Sequence, residues 1–264
     1  MRISNILLMV IFPVTAFAEW ETNMPRGVTP TSEVAYDLHM LIFYITVVIG
    51  ILVFGAMLYS IIYHRKSLGH EPAKFHESTK VEIIWTVIPF IILVGMAVPA
   101  TKALIMMEDT RDSEITLKVT GYQWMWQYEY LEDNVTFFSK IDTESNTARR
   151  LNSGVDVKNV NNYLRNVDNA IVLPINTKVR ILLTANDVIH AWWVPELGGK
   201  KDAIPGYVNE LWVDIQEPGT YRGQCAELCG KDHGFMPIVV HAVSKPEYYK
   251  WVGIQKTNKV AKNK

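Results

Sequence analysis

The chain has 264 residues, room for one or two domains, and its formal net charge is −1. This balance excludes the overall basic character expected of a chain that binds nucleic acid. Hydrophobic residues make up 49% of the sequence, and they concentrate before residue 108. That uneven distribution predicts membrane segments in the first part of the chain and a different kind of domain in the second.

Residues 1–18 have the pattern of a secretory signal peptide. Arg2 supplies the positive start, an apolar run extends from Ile6 to Phe12, and Ala16-Phe17-Ala18 fits the A-x-A cleavage pattern. A first membrane helix is the alternative, but the run is shorter than the ~20 residues that a span needs. Cleavage predicts a mature chain that begins at Glu19 with an exported N-terminus.

Two long apolar stretches follow, at about residues 38–63 and 81–107. Each exceeds the ~20 residues needed to cross a bilayer, which favours a transmembrane hairpin over a buried soluble one. The connector carries four basic residues, Arg65, Lys66, Lys74 and Lys80. By the positive-inside rule the connector is cytoplasmic, so both termini are expected on the periplasmic side. Residues 19–108 therefore predict an N-terminal segment and a two-helix hairpin in the lipid bilayer.

From residue 109 the pattern changes to short alternating apolar runs punctuated by Gly and Pro, as in Glu217-Pro218-Gly219-Thr220. The runs are Ile115–Thr120, Ala170–Pro174, Val179–Leu183, Glu210–Asp214 and Ile238–Val243. This pattern predicts an all-β sandwich or barrel over residues 109–253. Residues 139–169 are polar and read as a surface excursion, and residues 254–264 as a mobile basic tail.

The strongest chemical signal is the spacing C-x3-C-x3-H-x2-M formed by Cys225, Cys229, His233 and Met236. Thiolate, imidazole and thioether together favour copper over hard cations. A blue-copper loop offers one Cys, one His and one Met, whereas this loop offers a second Cys. Because a second thiolate can bridge a second metal, the residues indicate a two-copper centre suited to passing electrons.

Blue-copper sites take a second His from elsewhere in the chain. His190 is the best candidate, since it is expected to close the strand-like run Val179–Thr184 among large apolar side chains. A disulfide is one alternative for two cysteines of an exported domain. A Cys2His2 zinc site is another, but zinc would leave Met236 unused.

Six blocks of sequence resemble subunit II of cytochrome c oxidase, the haem–copper terminal oxidase of respiratory chains. They are Glu82–Pro89, Gly121–Tyr130, Asp187–His190, Lys201–Gly206, Gly223–Gly230 and His233–Ile238. The blocks follow the order of the family, and the resemblance extends from about Tyr36 to about Trp251. It implies a two-helix transmembrane hairpin followed by a cupredoxin-like domain.

The resemblance also implies a ligand set, the dinuclear copper centre known as CuA. In that set Cys225 and Cys229 bridge two copper ions, and His190 and His233 bind one each. Met236 is a ligand of one copper and the backbone carbonyl of Glu227 a ligand of the other. The carboxylate of Glu227 is implied to help hold Mg²⁺ (or Mn²⁺) at the boundary with subunit I. The sequence has no C-x-x-C-H motif, so no covalent haem is expected on this chain.

Further roles follow from the same resemblance. Trp124 matches the electron entry point at which cytochrome c docks, and Glu82 matches the mouth of the K proton channel of subunit I. Placed on one strand, Tyr122, Trp124, Trp126, Tyr128 and Tyr130 would put five rings on one face.

Charge adds a docking hypothesis. Residues 108–250 contain 20 Asp and Glu against 15 Lys and Arg, an acidic net of −5 that would steer a basic cytochrome c. Asp187 and Glu129 flank the implied copper and tryptophan sites and are the candidate docking carboxylates.

Together these features predict subunit II of a bacterial cytochrome c oxidase in the inner (plasma) membrane, in contact with subunit I and other oxidase subunits. The chain would take electrons from cytochrome c and pass them to haem a of subunit I, where O2 is reduced to water with proton pumping. By itself it would be an electron-transfer module. A membrane-anchored copper carrier or assembly protein remains the alternative. A quinol oxidase subunit would lack the ligands, and nitrous oxide reductase would share only the copper loop.

Overall fold

The computed structural model describes residues 22–72, 74 and 76–262, so the predicted signal peptide lies outside the described residues. Two long helices come first, α1 (Pro30–Tyr63) and α2 (Thr79–Met107). Within the described part of the chain, both are long and apolar enough to cross a membrane. Helix α1 begins before the apolar stretch because Thr29 caps it through the backbone N–H of Ser32 and Pro30 occupies the first turn.

The outer ends of the two helices are fastened to the second domain. Thr29 Oγ1 donates a hydrogen bond of 3.0 Å to the carbonyl oxygen of Leu197, next to the start of α1. Trp212 Nε1 donates one of 3.1 Å to the carbonyl oxygen of Met106, at the end of α2. These two hydrogen bonds hold the β domain against the outer ends of α1 and α2.

The described residues after α2 form ten strands and two further α-helices, joined by turns and loops. They are β1 (Ile115–Tyr122), β2 (Met125–Tyr130), β3 (Val135–Ser139), α3 (Thr143–Ala148), β4 (Ile171–Pro174), β5 (Lys178–Ala185), β6 (His190–Trp193), β7 (Lys200–Ala203), β8 (Asn209–Asp214), β9 (Gly219–Cys225), β10 (Pro237–Val243) and α4 (Lys245–Lys262). One sheet has the order β3-β2-β1-β5-β8 and the other β4-β10-β9-β6-β7. Strand pairs β1/β5 and β4/β10 are parallel and the remaining neighbours are antiparallel.

The two sheets pack face to face around one apolar core. Alternate residues of β5 are buried, as its sequence pattern requires, and Ile181 and Leu183 are fully enclosed. Trp126 and Trp192 contribute the largest buried side chains. The predicted cupredoxin-like sandwich after a two-helix hairpin is thus confirmed.

The aromatic run differs from the prediction. Strand β1 ends at Tyr122 and β2 begins at Met125, and these two residues pair across a tight turn. The Gln123–Trp124 peptide bond in this turn is cis. The five rings therefore do not share one strand: the three on β2, Trp126, Tyr128 and Tyr130, face the core, whereas Trp124 lies at the turn.

Two other expectations are wrong. His190 does not close the run that became β5; it opens the separate strand β6 in the opposite sheet. Residues 254–262 continue helix α4 instead of leaving as a mobile tail. The helix is held because Tyr248 is buried against the domain and its hydroxyl donates a 2.6 Å hydrogen bond to Asp133. Trp251 packs on the ring of Tyr130 at 5.1 Å.

Candidate metal centre

Three neighbouring strands of one sheet, β6, β9 and β10, position the candidate metal-binding residues. Cys225 is the last residue of β9, and Met236 directly precedes β10, so the antiparallel pairing of these strands closes the loop between them. The backbone N–H of Cys225 donates to the carbonyl oxygen of Met236 at 3.3 Å. His190 opens the neighbouring strand β6, whose Trp192 is paired with Cys225. A short 3-10 turn within the loop starts at His233.

The two cysteines form the centre of the cluster. Their Sγ atoms lie 3.9 Å apart, well beyond the ~2.05 Å of a disulfide, and both are free thiols. Both residues are buried, as is the imidazole of His190. His190, Cys225 and Cys229 together form a group whose ligand atoms all lie within 4.8 Å of one another, close enough to share a metal ion.

Each cysteine has its own set of further donors. Near Cys225 Sγ are Nδ1 of His190 at 3.9 Å and the carbonyl oxygen of Glu227 at 3.4 Å. Near Cys229 Sγ are Nδ1 of His233 at 3.5 Å and Sδ of Met236 at 3.6 Å. The structure thus brings together all six positions of the implied ligand set, with the His190 imidazole near Cys225 and the His233 imidazole near Cys229.

A carboxylate on the far side of the imidazole ring fixes the orientation of His190. Its Nε2 lies 2.9 Å from Oδ1 of Asp187, which leaves Nδ1 to face the sulfur atoms. Metal-binding histidines characteristically have such a partner on the other ring nitrogen. Gly121 permits the arrangement, because a Cβ at this position would lie 2.7 Å from Cδ2 of His190. A glycine inside a strand is a sequence signal for such a close approach.

Asp187 is held by more than the imidazole. Its carboxylate also accepts hydrogen bonds of 2.7 Å from the backbone N–H groups of Gln123 and Val188. Partial burial raises the pKa of Asp187, but the hydrogen bond with His190 and those from the backbone outweigh it, and the net pKa is lowered. Asp187 therefore acts on the metal-site imidazole as well as presenting charge to the solvent.

The turn between β1 and β2 touches the loop directly. Trp124 Nε1 donates to the carbonyl oxygen of Cys229 at 3.2 Å, and Gln123 Nε2 donates to the same oxygen at 2.9 Å. Trp124 is half-buried, and Nζ of Lys231 lies 5.5 Å from the centre of its ring. Gln123 and Lys231 were not predicted, since nothing in their spacing along the sequence indicates a contact between this turn and the metal loop.

A second tryptophan closes the inner side of the loop. Trp126 Nε1 donates to the carbonyl oxygen of Met236 at 3.4 Å, and its ring stands edge-on to His190 at 5.9 Å. Trp126 is fully buried, so it belongs to the core while also supporting two of the six donor residues.

Gly230, with φ of +117°, provides the left-handed backbone conformation that returns the loop towards Trp124.

The two thiols differ in acidity. Burial raises the pKa of Cys225, but hydrogen bonds with His190, with the backbone of Glu227 and Ala191 and with His233 together outweigh burial and bring that pKa to about 7. Burial and the charge of the neighbouring Cys225 thiolate raise the pKa of Cys229 to about 12. For His190, hydrogen bonds to Cys225 and Asp187 outweigh burial and raise the pKa. Because thiolates are the metal-binding form, metal uptake must release the proton of Cys229.

The donor set identifies the kind of metal that the site suits. Thiolate, imidazole and thioether are soft or intermediate donors and favour copper. Tetrahedral zinc would use two thiols and two imidazoles, and would leave the buried thioether of Met236 unused against Cys229. The residues present therefore fit copper better than zinc.

The remaining predicted residues lie outside this cluster. The side chain of Glu227 is exposed, although its carbonyl faces Cys225. Glu129 forms an ion pair of 2.7 Å with Lys118. Glu82 is exposed in the first turn of α2, at the end of the hairpin opposite the β domain.

The fold and the site define a class: a cupredoxin-like domain with a cluster of soft donor side chains that could hold a metal, attached to a membrane hairpin. Two family models match the chain. "Cytochrome C oxidase subunit II, periplasmic domain" matches residues 115–243, and "Cytochrome C oxidase subunit II, transmembrane domain" matches residues 17–103.

Two relatives are similar over nearly the whole chain, and one solved structure is similar over the β domain. The probable cytochrome c oxidase subunit 2 of Rickettsia bellii is 39% identical over 99% of this chain and 95% of its own. Cytochrome c oxidase subunit 2 of Arabidopsis thaliana is 36% identical over 94% of this chain and 95% of its own. The crystal structure of the periplasmic domain of subunit II of cytochrome oxidase of Bradyrhizobium japonicum is 37% identical, with a TM-score of 0.48, over 56% of this chain and 98% of that one.

The chain therefore belongs to the cytochrome c oxidase subunit II family, and is a membrane-anchored subunit of a haem–copper oxidase.

Proposed function

We propose that this subunit accepts electrons from cytochrome c at a dinuclear copper centre and passes them to haem a of subunit I, for the reduction of O2 to water coupled to proton pumping. The observation that carries the proposal is the paired arrangement of donors. Two thiols 3.9 Å apart stand at the centre, and each has its own imidazole, His190 or His233. A single-copper site needs only one of the thiols.

When bound, the copper pair supplies a one-electron redox couple. Cys225, Cys229, His190, His233, Met236 and the backbone carbonyl of Glu227 would hold the two ions. The chain contributes rigidity, because the loop is anchored by two paired strands and by hydrogen bonds from Trp124 and Trp126. Burial of the cysteines and of Met236 excludes water from the donors. A dry, rigid site favours electron transfer at small driving force.

Trp124 is the proposed point of electron entry. Its ring is partly exposed, yet its Nε1 is hydrogen-bonded to the carbonyl of the bridging residue Cys229. An electron that reaches the indole is therefore one hydrogen bond away from the backbone of a copper-binding residue. Exposure and this contact together single out Trp124 from the other rings of the aromatic run. Trp126, Tyr128 and Tyr130 are buried, and the hydroxyl of Tyr122 donates to Gln127.

The docking surface for cytochrome c is proposed around this tryptophan. Exposed apolar residues adjoin the donor residues in sequence: Val188, Ile189 and Leu228. Asp187 contributes a carboxylate with 27% of its side chain exposed, and the domain has a net charge of −5 that would steer a basic partner. Glu129 remains a candidate, but its charge is offset by Lys118.

Two further roles are proposed for carboxylates. The exposed side chain of Glu227, whose carbonyl faces the sulfur pair, would hold Mg²⁺ or Mn²⁺ together with subunit I, since hard cations prefer carboxylate oxygens. Glu82 would form the mouth of the K proton channel of subunit I, because it is an ionisable side chain at the inner end of a membrane helix.

The topology follows from the same proposal. The basic connector would lie in the cytoplasm, and the β domain with both termini of the mature chain in the periplasm of a bacterial inner membrane. Residues 1–18 would be removed as a signal peptide.

The proposal is tested on the purified full-length chain in detergent, loaded with copper. We expect two coppers per chain and an EPR spectrum in which one unpaired electron couples equally to two copper nuclei. Cys229→Ser should abolish this coupling pattern, whereas Ser153→Ala, a change of one hydroxyl away from the cluster, should preserve it. One copper per chain with a single-nucleus pattern would overturn the dinuclear centre and favour a copper carrier or assembly protein.

A further inference from the structure

The two membrane helices enclose a groove that the copper chemistry does not use. At its outer end is a cavity of about 370 Å³ lined by residues of both helices, among them Asp37, Leu41, Lys102 and Ala103. A second cavity of about 540 Å³ continues along the hairpin between Val48 on α1 and Gly95 on α2. Leu41 lines both cavities, so the two adjoin along the hairpin, and we call them together the groove.

The chemistry of the groove changes along its length. Asp37 and Lys102 provide opposite charges at the outer end, and both side chains are exposed. Among the described residues, neither forms an ion pair. Below these two charges the lining is apolar apart from the hydroxyl of Tyr44. A site with one cation, one anion and an apolar channel leading away from them is complementary to an amphiphile that carries both charges in its head.

The depth of these charges fits the membrane. Glu82 and Lys102 are twenty residues apart on α2, which corresponds to about 30 Å of helix, the thickness of the hydrocarbon core. If Glu82 lies at one boundary, Lys102 lies at the other. Asp37 directly precedes the apolar stretch of α1 and belongs to the same outer end. Both charges are therefore level with the lipid headgroups, and the groove below is level with the acyl chains.

We propose that this groove binds one zwitterionic phospholipid of the outer leaflet. Its phosphate pairs with the ammonium of Lys102, its own ammonium with the carboxylate of Asp37, and one acyl chain occupies the channel that passes Leu41 towards Gly95. An anionic lipid would satisfy Lys102 but leave Asp37 facing a like charge. A helix of another subunit would have to supply partners for both charges at the edge of the hydrocarbon, where unpaired charges are costly.

The test is native mass spectrometry of the purified oxidase complex containing the full-length chain, with added dioleoylphosphatidylethanolamine or dioleoylphosphatidylglycerol. The first lipid should be retained, one molecule per copy of this subunit. Gly95→Leu should fill the channel, since a Cβ at Gly95 has no atom within 4 Å. We expect retention to fall about tenfold, the factor for roughly two buried methylenes. Gly55→Leu, at an equally open glycine that does not line the groove, should leave retention unchanged.

The headgroup is tested separately. Asp37→Asn should remove the discrimination against the anionic lipid. We expect the ratio of bound phosphatidylethanolamine to bound phosphatidylglycerol to fall by about threefold or more, because one partly screened charge contact is lost. Photo-crosslinking from position 48, which lines the channel, should capture lipid. Capture of another oxidase polypeptide from that position, or equal lipid retention by the Gly95→Leu and Gly55→Leu complexes, would overturn the proposal.

Discussion

The indole of Trp124 donates its hydrogen bond to the carbonyl oxygen of Cys229, across 3.2 Å and between two loops that belong to opposite sheets. The ring thus joins the surface of the domain to the backbone of a donor residue. Gln123 donates to the same oxygen, so the whole β1–β2 turn is fastened to the metal loop. The position of the proposed electron entry point is therefore set by the same contacts that hold the cluster.

Trp124→Phe should slow electron uptake from cytochrome c while leaving the copper spectrum unchanged. Phenylalanine fills much of the same space but cannot donate to Cys229, so the connection through the hydrogen bond is lost. We expect a decrease of about tenfold or more, equivalent to ~1.4 kcal/mol of activation free energy. Stopped-flow reduction of the oxidase by reduced cytochrome c measures it, with Trp193→Phe, at an exposed tryptophan of β6, as the control. Unchanged uptake in Trp124→Phe would remove this residue from the pathway.

Asp187→Asn should weaken copper binding. The substitution removes the negative charge behind His190 and converts one acceptor of a backbone N–H into an amide. Loss of such a supporting contact reduces metal affinity by about 10–100-fold. Copper retention against a chelator series measures the change.

Glu129→Gln is the matched control for Asp187→Asn. It removes the same charge, but Glu129 is paired with Lys118 and not with a donor residue, so copper affinity should not change. If both carboxylates also attract cytochrome c, both variants should show a higher KM and a weaker dependence on ionic strength. Equal copper retention by the two variants would show that Asp187 does not position the imidazole.

Gly121→Ala should disturb His190 although it adds a single methyl group. The new Cβ would lie 2.7 Å from the imidazole ring, and relieving such a contact in a packed core costs about 1–3 kcal/mol. The full-length variant should contain less copper and unfold at a lower Tm, as followed by metal analysis and calorimetry. Gly234→Ala, inside the metal loop but with no atom within 4 Å of the added Cβ, should retain copper and Tm. A similar loss in both variants would argue against the specific contact with His190.

Glu82→Ala should slow reduction of the oxygen-binding haem of subunit I while copper reduction stays normal. A positioned proton-transfer group contributes far more than tenfold, so a decrease of about tenfold or more is expected. Rapid-mixing spectroscopy separates the two steps. Glu77→Ala removes an exposed carboxylate just before α2 and should have no effect. Normal haem reduction in Glu82→Ala would leave this residue as an interfacial anchor only.

Much of the molecule was predictable because the signals are local. Cys225, Cys229, His233 and Met236 lie within one loop, so their spacing alone indicated a soft-metal cluster. Helices α1 and α2 follow from hydropathy, since a bilayer requires a length of apolar chain and little else. Five strands of the β domain were expected from their alternating residues, and the fold class followed from the motifs.

What the sequence could not give depends on contacts between distant segments. The alternation in 122–130 is the same whether the chain continues or turns at Gln123, and only the pairing of Tyr122 with Met125 decides that it turns. That turn aims Trp124 at Cys229 and Gln123 at Asp187, over separations of 105 and 64 residues.

Residues 254–262 illustrate the same limit. Their composition is polar and basic, yet α4 extends through them because Tyr248 and Trp251, in its first turns, pack against Asp133 and Tyr130. Composition determined the donors, the spans and the alternation, since each of these is a property of neighbouring residues. Only the packing of two sheets and a helix decided which backbone and side-chain groups support those donors, because such contacts form only when the complete domain has folded.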